Sequence, residues 1–353
     1  DPQPDATAEG GQDAEQKKMS DADLLADFEH YVFIEQVALA TSMGQGLLDR
    51  NIEPTAFVKL VEGAGAKRFE DAYVRAVRHA SLEPVAAKLW TIYQDGKRET
   101  VRSPAAVADN IKLLTGSQSQ RSYVRDRLQE AKEYAMPKLL QALLQRQDSR
   151  LSGEARQVIV EMGRDAVTPL CTALPELDSS SQLTVAEMLG DIGYPTALPF
   201  LYDTHGKTSA ANVKQACEDA IRKIAQVVNF SVPISDRSVD LAEGYYNESP
   251  SLTIFPGEGH QLLWGYNPGA GLIMQAIPTP VFHEAMAMRY CETALREDQS
   301  NTRAVPLWLA SNFSREIDTP SDPDFANPAY AADRRDAMYY AVAAGSAPTQ
   351  QVL

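Results

Sequence analysis

The residues that could bind a metal ion are few and widely spaced. A zinc-protease helix needs two histidines one turn apart, so that both reach the same ion from one face. Residues 283–287 (HEAMA) come nearest to this motif, but Ala287 stands where the second histidine is required. No histidine lies at ligand spacing from another histidine or from a cysteine; the histidines are His30, His79, His205, His260 and His283. We therefore expect no metal site and no cofactor.

Residues suited to acid–base or nucleophilic catalysis are also isolated. Glu187 and Asp191 lie four residues apart, so they share one helical face. Catalysis by such a pair needs a closed pocket that shifts their pKa values, whereas a chain with a net charge of −15 favours a solvated acidic face. The sequence has no Gly-x-Ser-x-Gly motif, and residues 265–271 lack the Lys-Ser/Thr of a phosphate-binding loop. We predict no catalytic residues.

Composition narrows the classes of partner. The chain has 353 residues, of which 44% are apolar, so it can bury a sizeable core and by length suggests about two domains. A net charge of −15 disfavours nucleic acid and anionic membrane surfaces, because both attract basic proteins. No apolar stretch approaches the length of a transmembrane helix, so we expect no membrane insertion.

The N-terminus and the cysteines bear on the compartment. Residues 1–19 are polar and acidic, which predicts a disordered tether. Because the sequence starts at Asp1 instead of Met, we expect a removed signal peptide and an extracytoplasmic location, in the periplasm or cell envelope, with a cytoplasmic location as the alternative. Cys171, Cys217 and Cys291 form neither a disulfide framework nor a zinc pattern, and each lies in a helical apolar pattern, so we expect buried small apolar side chains.

Helical periodicity dominates residues 20–122. Apolar residues recur at intervals of three and four in residues 21–39, behind a capping Ser20 or Asp21. Breaks carrying Gly, Pro or a capping side chain separate the further helices predicted in this segment. Those helices cover residues 41–50, 54–63, 69–80, 83–95 and 103–115.

The sequence repeats itself over residues 123–228. Three times an apolar-periodic helix ends in a tight turn, and an Ala or Val then precedes the Pro that opens a second helix; these prolines are Pro137, Pro169 and Pro199. Gly163 and Gly193 end the first helix of their pairs, where a left-handed cap suits glycine. A single pair cannot bury its own apolar face, so the pairs must stack. Residues 189–201 (LGDIGYPTALPFL) resemble a bacterial HEAT repeat.

Residues 229–280 lose the helical period and are rich in Gly, Pro, Asn and aromatic residues. Two short apolar runs, 261–266 and 271–277, flank a Pro-Gly turn and predict a β-hairpin. Aromatic side chains on a projecting hairpin could anchor a partner, or they could pack on neighbouring helices and hold the insert in place. The residues open to these two interpretations are Tyr245, Tyr246, Phe255, Trp264 and Tyr266.

Helical signals return in residues 281–353. The stretch 290–304 followed by Leu309 and Ala310 resembles a degenerate TPR, although Gln299 stands where a TPR has proline. We expect a Pro/Asp loop at 318–328, a helix from Arg334 to Ala344, and a parent protein that continues past Leu353. Taken together, residues 20–353 resemble HEAT-repeat domain-containing proteins of planctomycete bacteria. That resemblance implies export and a longer C-terminal HEAT region, and it carries no activity.

The predicted fold is therefore all-α, an α-solenoid of HEAT- and TPR-like helical hairpins in a right-handed superhelix with a small β-hairpin insert. The predicted function is a non-catalytic scaffold or adaptor that binds protein partners or other copies of itself. Two alternatives stay open. One is a structural component of a bacterial envelope assembly. The other is an enzyme subunit with its active site in residues 229–280 or in a missing C-terminal region, which a ligand cavity around Glu258, His260 and Trp264 would favour.

Overall fold

The computed structural model describes residues 19–145, 147–319 and 335–352, and most of them are helical. The chain divides into two compact units. The first comprises the residues up to 110 together with 126–131, and the second comprises 111–125 and the chain from 132 onward. The predicted tether before Met19 and nearly all of the predicted loop at 318–328 lie outside the described residues.

The first unit is built from short helices, as the sequence predicts. They are α1 (Asp21–Phe33), α2 (Val37–Asp49), α3 (Pro54–Ala64), α4 (Ala66–Ala76) and α5 (Glu83–Arg102). Two further helices contribute residues to both units: α6 (Pro104–Leu113) and α7 (Gln118–Ala131). The predicted boundary at 122/123 thus falls inside α7.

The prediction of one helix over residues 21–39 is wrong at its C-terminal end. Ser20 caps α1 through a reciprocal capping box with Asp23. The helix then stops at Phe33, because Glu35 adopts a positive φ of 57° that a continuous helix excludes. Apolar residues on both sides of the break keep the same spacing, so the periodicity alone does not reveal it.

Aromatic side chains fill the core of the first unit. Phe69 packs edge-on against Phe57 and Tyr93, at centroid distances of 5.7 and 5.3 Å. Tyr73 stacks on Trp90 at 4.3 Å with an interplanar angle of 7°. Together with the buried leucines and valines of α1 and α3, these rings form one continuous apolar cluster.

The second unit contains the repeats, the insert and the C-terminal helices. Its repeat helices are α8 (Met136–Leu144), α9 (Ser149–Met162), α10 (Arg164–Ala173), α11 (Ser179–Ile192), α12 (Leu198–Lys207) and α13 (Ala211–Ile224). Its remaining elements are α14 (Ile234–Tyr246), β1 (His260–Asn267), β2 (Gly271–Pro278), α15 (Phe282–Glu297), α16 (Ala304–Asp318), α17 (Ala337–Ala344) and α18 (Ser346–Gln350). The helix predicted from Arg334 begins three residues later.

The repeats follow the predicted pattern of paired helices. Pro137 and Pro199 lie in the first turn of α8 and α12, where the missing N–H costs no helical bond. Pro169 differs, because it lies inside α10, which already starts at Arg164. The turn before the proline is a 3₁₀ helix in the repeats of Pro137 and Pro199. In the repeat of Pro169 the same turn is α-helical, so α10 begins about one turn earlier relative to its proline.

Close helix packing joins successive repeats. The first helices of neighbouring pairs lie side by side, and α11 contacts α13 most extensively. At Gly190 a Cβ atom would lie 2.9 Å from the Cα of Ala220, so this contact requires a glycine. The predicted burial of Cys171, Cys217 and Cys291 is confirmed; all three thiols are free, and burial raises the pKa of Cys217 and Cys291 to about 12.

Residues 229–280 are less irregular than the sequence indicates. They include the helix α14, which has no apolar period because small and polar residues share its buried face. That face carries Ser235, Ser238, Val239, Ala242 and Tyr245. The predicted hairpin is confirmed: β1 and β2 pair antiparallel, with Trp264 opposite Met274.

Candidate functional site

The insert lies against the repeat helices of the same unit. Strand β1 contacts α10, and β2 contacts α8. Leu262 and Trp264 of β1 and Leu272 of β2 project to one face of the hairpin, and all three are buried. On the other face, Ile273 and Gln275 are exposed. The hairpin therefore has a face against the repeats and a second face, here called the open face, which is exposed at Ile273 and Gln275 and buried at Gln261 and Ile277.

A buried carboxyl holds the indole of Trp264. The Nε1–H of Trp264 donates to Oε2 of Glu133 at 3.1 Å, and both residues are only 2% exposed. Burial raises the pKa of Glu133 to about 8, against the opposing effect of the Trp264 hydrogen bond. Glu133 is therefore a neutral acceptor at pH 7, and its role is to fix the hairpin on the repeats.

Lys132 has a backbone conformation that its residue type disfavours. It is the residue after the last residue of α7, at the repeat position occupied by Gly163 and Gly193, and like them it has a positive φ, of 53°. A lysine in this region costs about 1 kcal/mol or more that a glycine would not. Its Nζ donates to the carbonyl of Ile254 at 3.1 Å and lies 5.5 Å from the centre of the Phe255 ring. The side chain gives a physical reason for a strained residue at a glycine position.

The next residue in each repeat also contacts the insert. Glu133, Arg164 and Tyr194 each directly follow the positive-φ residue that ends the first helix. Arg164 donates to the carbonyl of Thr253, and the Tyr194 hydroxyl lies 3.5 Å from the carbonyl of Ser251. Three successive repeats thus present one position, here named the turn ladder (Glu133, Arg164 and Tyr194), to an insert segment of the same chain.

The insert segment is itself braced. The amide of Gln261 accepts from the N–H of Phe255 at 3.1 Å and donates to its carbonyl at 2.8 Å. The Thr279 hydroxyl donates to the carbonyl of Glu258 at 2.7 Å. The loop before β1 is therefore held at Phe255 and at Glu258, and Phe255 directly follows the Ile254 carbonyl that Lys132 bonds.

The structure separates the five predicted interface aromatics into two groups. Tyr245, Phe255 and Trp264 are at most 3% exposed, so they cannot act as surface anchors, and the alternative of packing onto neighbouring elements holds for them. Tyr245 stacks on Tyr290 at 5.5 Å, and Phe255 packs against Tyr134 at 5.6 Å. Tyr246 is 38% exposed and Tyr266 is partly exposed, so their role in an interface stays a prediction.

Two partly open cavities flank the hairpin. One, of about 420 Å³, lies between the open face of the hairpin and α15 and includes Leu263, Ile273 and Arg289. The other, of about 570 Å³, shares Trp264, Tyr266 and Arg289 with the first and also includes Phe200. Arg289 lines both, and its Nη1 donates to the carbonyl of Trp264 at 2.6 Å.

The residues that would favour an enzyme do not meet at either cavity. Trp264 lines both, whereas Glu258 and His260 line neither, and His260 is exposed. Within the described ranges, histidine, cysteine, aspartate and glutamate side chains form no group of three or more that could hold a metal ion. Among the same residues, no helix is long and apolar enough to cross a membrane.

Sequence reasoning missed the polar residues that hold the insert. Glu133 and Arg164 look like ordinary charges of an acidic chain, and nothing local marks them as contacts of a segment about a hundred residues away. One signal was available, because aligning the repeats places Lys132 where the next two repeats have glycine. A residue other than glycine at a glycine position indicates a special role for its side chain.

Comparison with known families agrees with the repeat architecture. Residues 136–222 match the family described as HEAT repeats. The molecule is therefore a mostly helical protein with a HEAT-repeat region and a two-stranded antiparallel hairpin. Searches of curated proteins and of solved structures give no match. The TPR-like character of residues 290–304 and the likeness to planctomycete proteins stay predictions.

Proposed function

We propose that this chain is a non-catalytic interaction scaffold whose HEAT repeats hold the segment 251–254 and display a hairpin to a protein partner. The observation that carries the proposal is the turn ladder. Two of its residues, in successive repeats, bond main-chain carbonyls of one segment at a two-residue interval, Ser251 and Thr253. Contacts to backbone carbonyls hold a segment with little dependence on its side chains, and this segment includes the 3₁₀ helix Pro250–Leu252.

The exposed surface of the first helices supports assigning the partner to the hairpin side. Charges on the first helices of the pairs are satisfied by one another: Arg156 reaches Glu187 and Asp191 at 3.1 and 3.3 Å, and Lys223 reaches Asp191 at 2.8 Å. A surface whose charged side chains already pair with each other offers a partner fewer unpaired charges to bind. The open face of the hairpin instead exposes Ile273, 48% of which is accessible.

Site-specific photo-crosslinking of the full chain in its native host tests the proposal. A photoreactive residue at Tyr266, beside the cavity that Arg289 and Phe200 line, should give a discrete protein adduct. The same residue at Gln215, exposed on α13, is the matched control and should give none. Equal labelling at both positions, or none at either, would contradict a scaffold that presents its hairpin side.

A further inference from the structure

The outer edge of β2 has unpaired main-chain groups. The N–H of Thr279 donates to the carbonyl of Gly259, so in the register of the hairpin the main-chain groups of the odd-numbered residues of the two strands bond each other. The main-chain N–H and C=O groups of the even-numbered residues of each strand must then point away from the partner strand. The carbonyl of Trp264 confirms this for β1, because it accepts from Arg289 instead of from β2.

The outward groups of β2 belong to Leu272, Met274 and Ala276. Within the part of the chain that the structure describes, no backbone or side-chain group bonds to their main-chain N–H or C=O. Gly271, with a φ of 79°, and Pro278, which has no N–H, bound this stretch at its two ends. The result is a short, open sheet edge.

Apart from its short length, this edge has none of the usual protection against pairing. Proteins blunt an exposed edge with lysine, a central proline, a bulge or an inward charge. Residues 271–277 (GLIMQAI) contain no charged residue and no proline, and the eight register pairs run without a bulge. Such an edge in a native protein is best explained if another strand covers it.

We propose that a second copy of this chain covers the edge, by antiparallel pairing of β2 with β2 of the second copy about a two-fold axis at Met274. This inference extends the proposed scaffold by naming one of its partners. The pairing would join two hairpins into a four-stranded sheet and satisfy the outward groups of Leu272, Met274 and Ala276 in both copies.

Composition favours a second copy over a charged partner segment. Each chain has a net charge of −15, yet the paired strands place no like charges opposite each other. Antiparallel pairing about Met274 also sets Leu272 opposite Ala276, and Ile273 opposite Gln275, of the second copy, so that a large side chain faces a smaller one. A charged segment would find no opposite charge on this strand. The edge is short, so the dimer should form in the micromolar range.

Sedimentation velocity of the full chain, from low to several hundred micromolar, tests the proposal. The wild type should shift from monomer to dimer. Gln275→Lys and Gln275→Glu each place two like charges diagonally across the two-fold axis, which should weaken each dimer up to about fivefold. An equimolar mixture of the two variants should regain the dimer, because opposite charges then meet. Met274→Pro removes the central donors and should weaken the dimer at least about tenfold.

Matched controls separate pairing from general changes in charge and folding. Gln215→Lys and Gln215→Glu, on exposed α13, make the same charge changes away from the edge and should leave dimerisation unaltered, alone or mixed. Near-ultraviolet circular dichroism should show the tryptophan signal unchanged in the Gln275 variants. A monomeric wild type at every concentration would overturn the inference, as would a mixture no tighter than its components. A monomer that still forms the Tyr266 adduct would leave the scaffold function standing.

Discussion

The two edges of the HEAT repeats use the same residue types to different effect. On the first helices, Arg156 pairs with Glu187 and Asp191 while all three side chains are about 40% exposed. At the turn ladder, Glu133 is 2% exposed, and Arg164 donates to the backbone of the insert. Exposed ion pairs contribute little to folding stability because water competes for both partners. A buried polar group without a hydrogen-bond partner, in contrast, costs folding free energy. Position in the repeat, and not residue type, decides which of these side chains stabilise the contact with the insert.

The largest expected effect on stability is at Trp264, the hairpin residue that donates to Glu133 of the turn ladder. Trp264→Ala removes a ring that is 2% exposed and leaves Glu133 without its donor, so we expect a loss of about 3–5 kcal/mol of unfolding free energy. Trp264→Phe keeps much of the apolar contact but removes the N–H and part of the ring, with an expected loss of about 1–3 kcal/mol. Urea unfolding followed by circular dichroism measures both. Equal losses for the two variants would show that the hydrogen bond, and not the packing, dominates.

Glu133 makes the stability of the contact between the repeats and the hairpin dependent on pH. Its pKa is about 8 in the folded chain, against 4.5 for an ordinary glutamate, so the folded state holds a proton that the unfolded state has lost. The resulting stability is complete below pH 4.5 and is lost as the pH rises to about 8. Glu133→Gln keeps a neutral acceptor for Trp264 and removes the titration. Relative to wild type, the variant should gain on the order of 4 kcal/mol between pH 4 and pH 9.

Urea unfolding of both proteins across this pH range checks the sign as well as the size. Asp191 provides the contrasting case on the exposed edge, because Lys223 and Arg156 lower the pKa of its carboxyl. Asp191→Asn should therefore be slightly less stable than wild type at neutral pH, and this difference should disappear at acidic pH, where the wild-type carboxylate becomes protonated. A Glu133→Gln variant whose stability follows wild type in parallel from pH 4 to pH 9 would exclude Glu133 as the titrating group.

Lys132 allows backbone strain to be separated from the side-chain contact. Lys132→Gly relieves a positive φ and loses the bond to Ile254, two effects of about 1 kcal/mol that nearly cancel. Lys132→Ala loses the bond and keeps the strain, so it should be about 1 kcal/mol less stable than the glycine variant. At Lys214, exposed in the helix α13, the order should reverse, because alanine favours a helix over glycine. Thermal unfolding of the four variants measures the order of stability at each site. An alanine variant more stable than the glycine variant at both sites would refute strain at Lys132.

Local patterns were enough to predict the repeats, because the relevant signals recur. Proline in the first turn of the second helix and glycine at the turn appear in several repeats, so an error at one, such as the start of α10, leaves the architecture intact. The helix α14 could not be predicted from periodicity, because its buried face includes Ser235 and Ser238, which give no apolar period. The hairpin was predictable from two apolar runs around a turn.

The candidate site was far less predictable, because its contacts are distant in sequence. Trp264 meets Glu133 across 131 residues, and Lys132 meets Ile254 across 122. Tertiary packing decides which charged residues of an acidic chain become buried, and neither their type nor their spacing records it. The same limit explains the interface aromatics: Tyr245 and Tyr246 are adjacent in sequence, yet one is 3% and the other 38% exposed.

The smallest effect should come from the exposed edge, where Arg156 and Arg164 form a matched pair from one repeat. Arg156→Ala removes two exposed ion pairs and should cost less than about 1 kcal/mol. That cost should vanish in about 1 M salt, where the Debye length falls to about 3 Å. Arg164→Ala leaves the carbonyl of Thr253 without its donor and should cost about 1–3 kcal/mol at both low and high salt. Urea unfolding in about 50 mM and about 1 M sodium chloride distinguishes the two. If the Arg156 variant proved as costly as the Arg164 variant and equally indifferent to salt, the contrast between the two edges would be refuted.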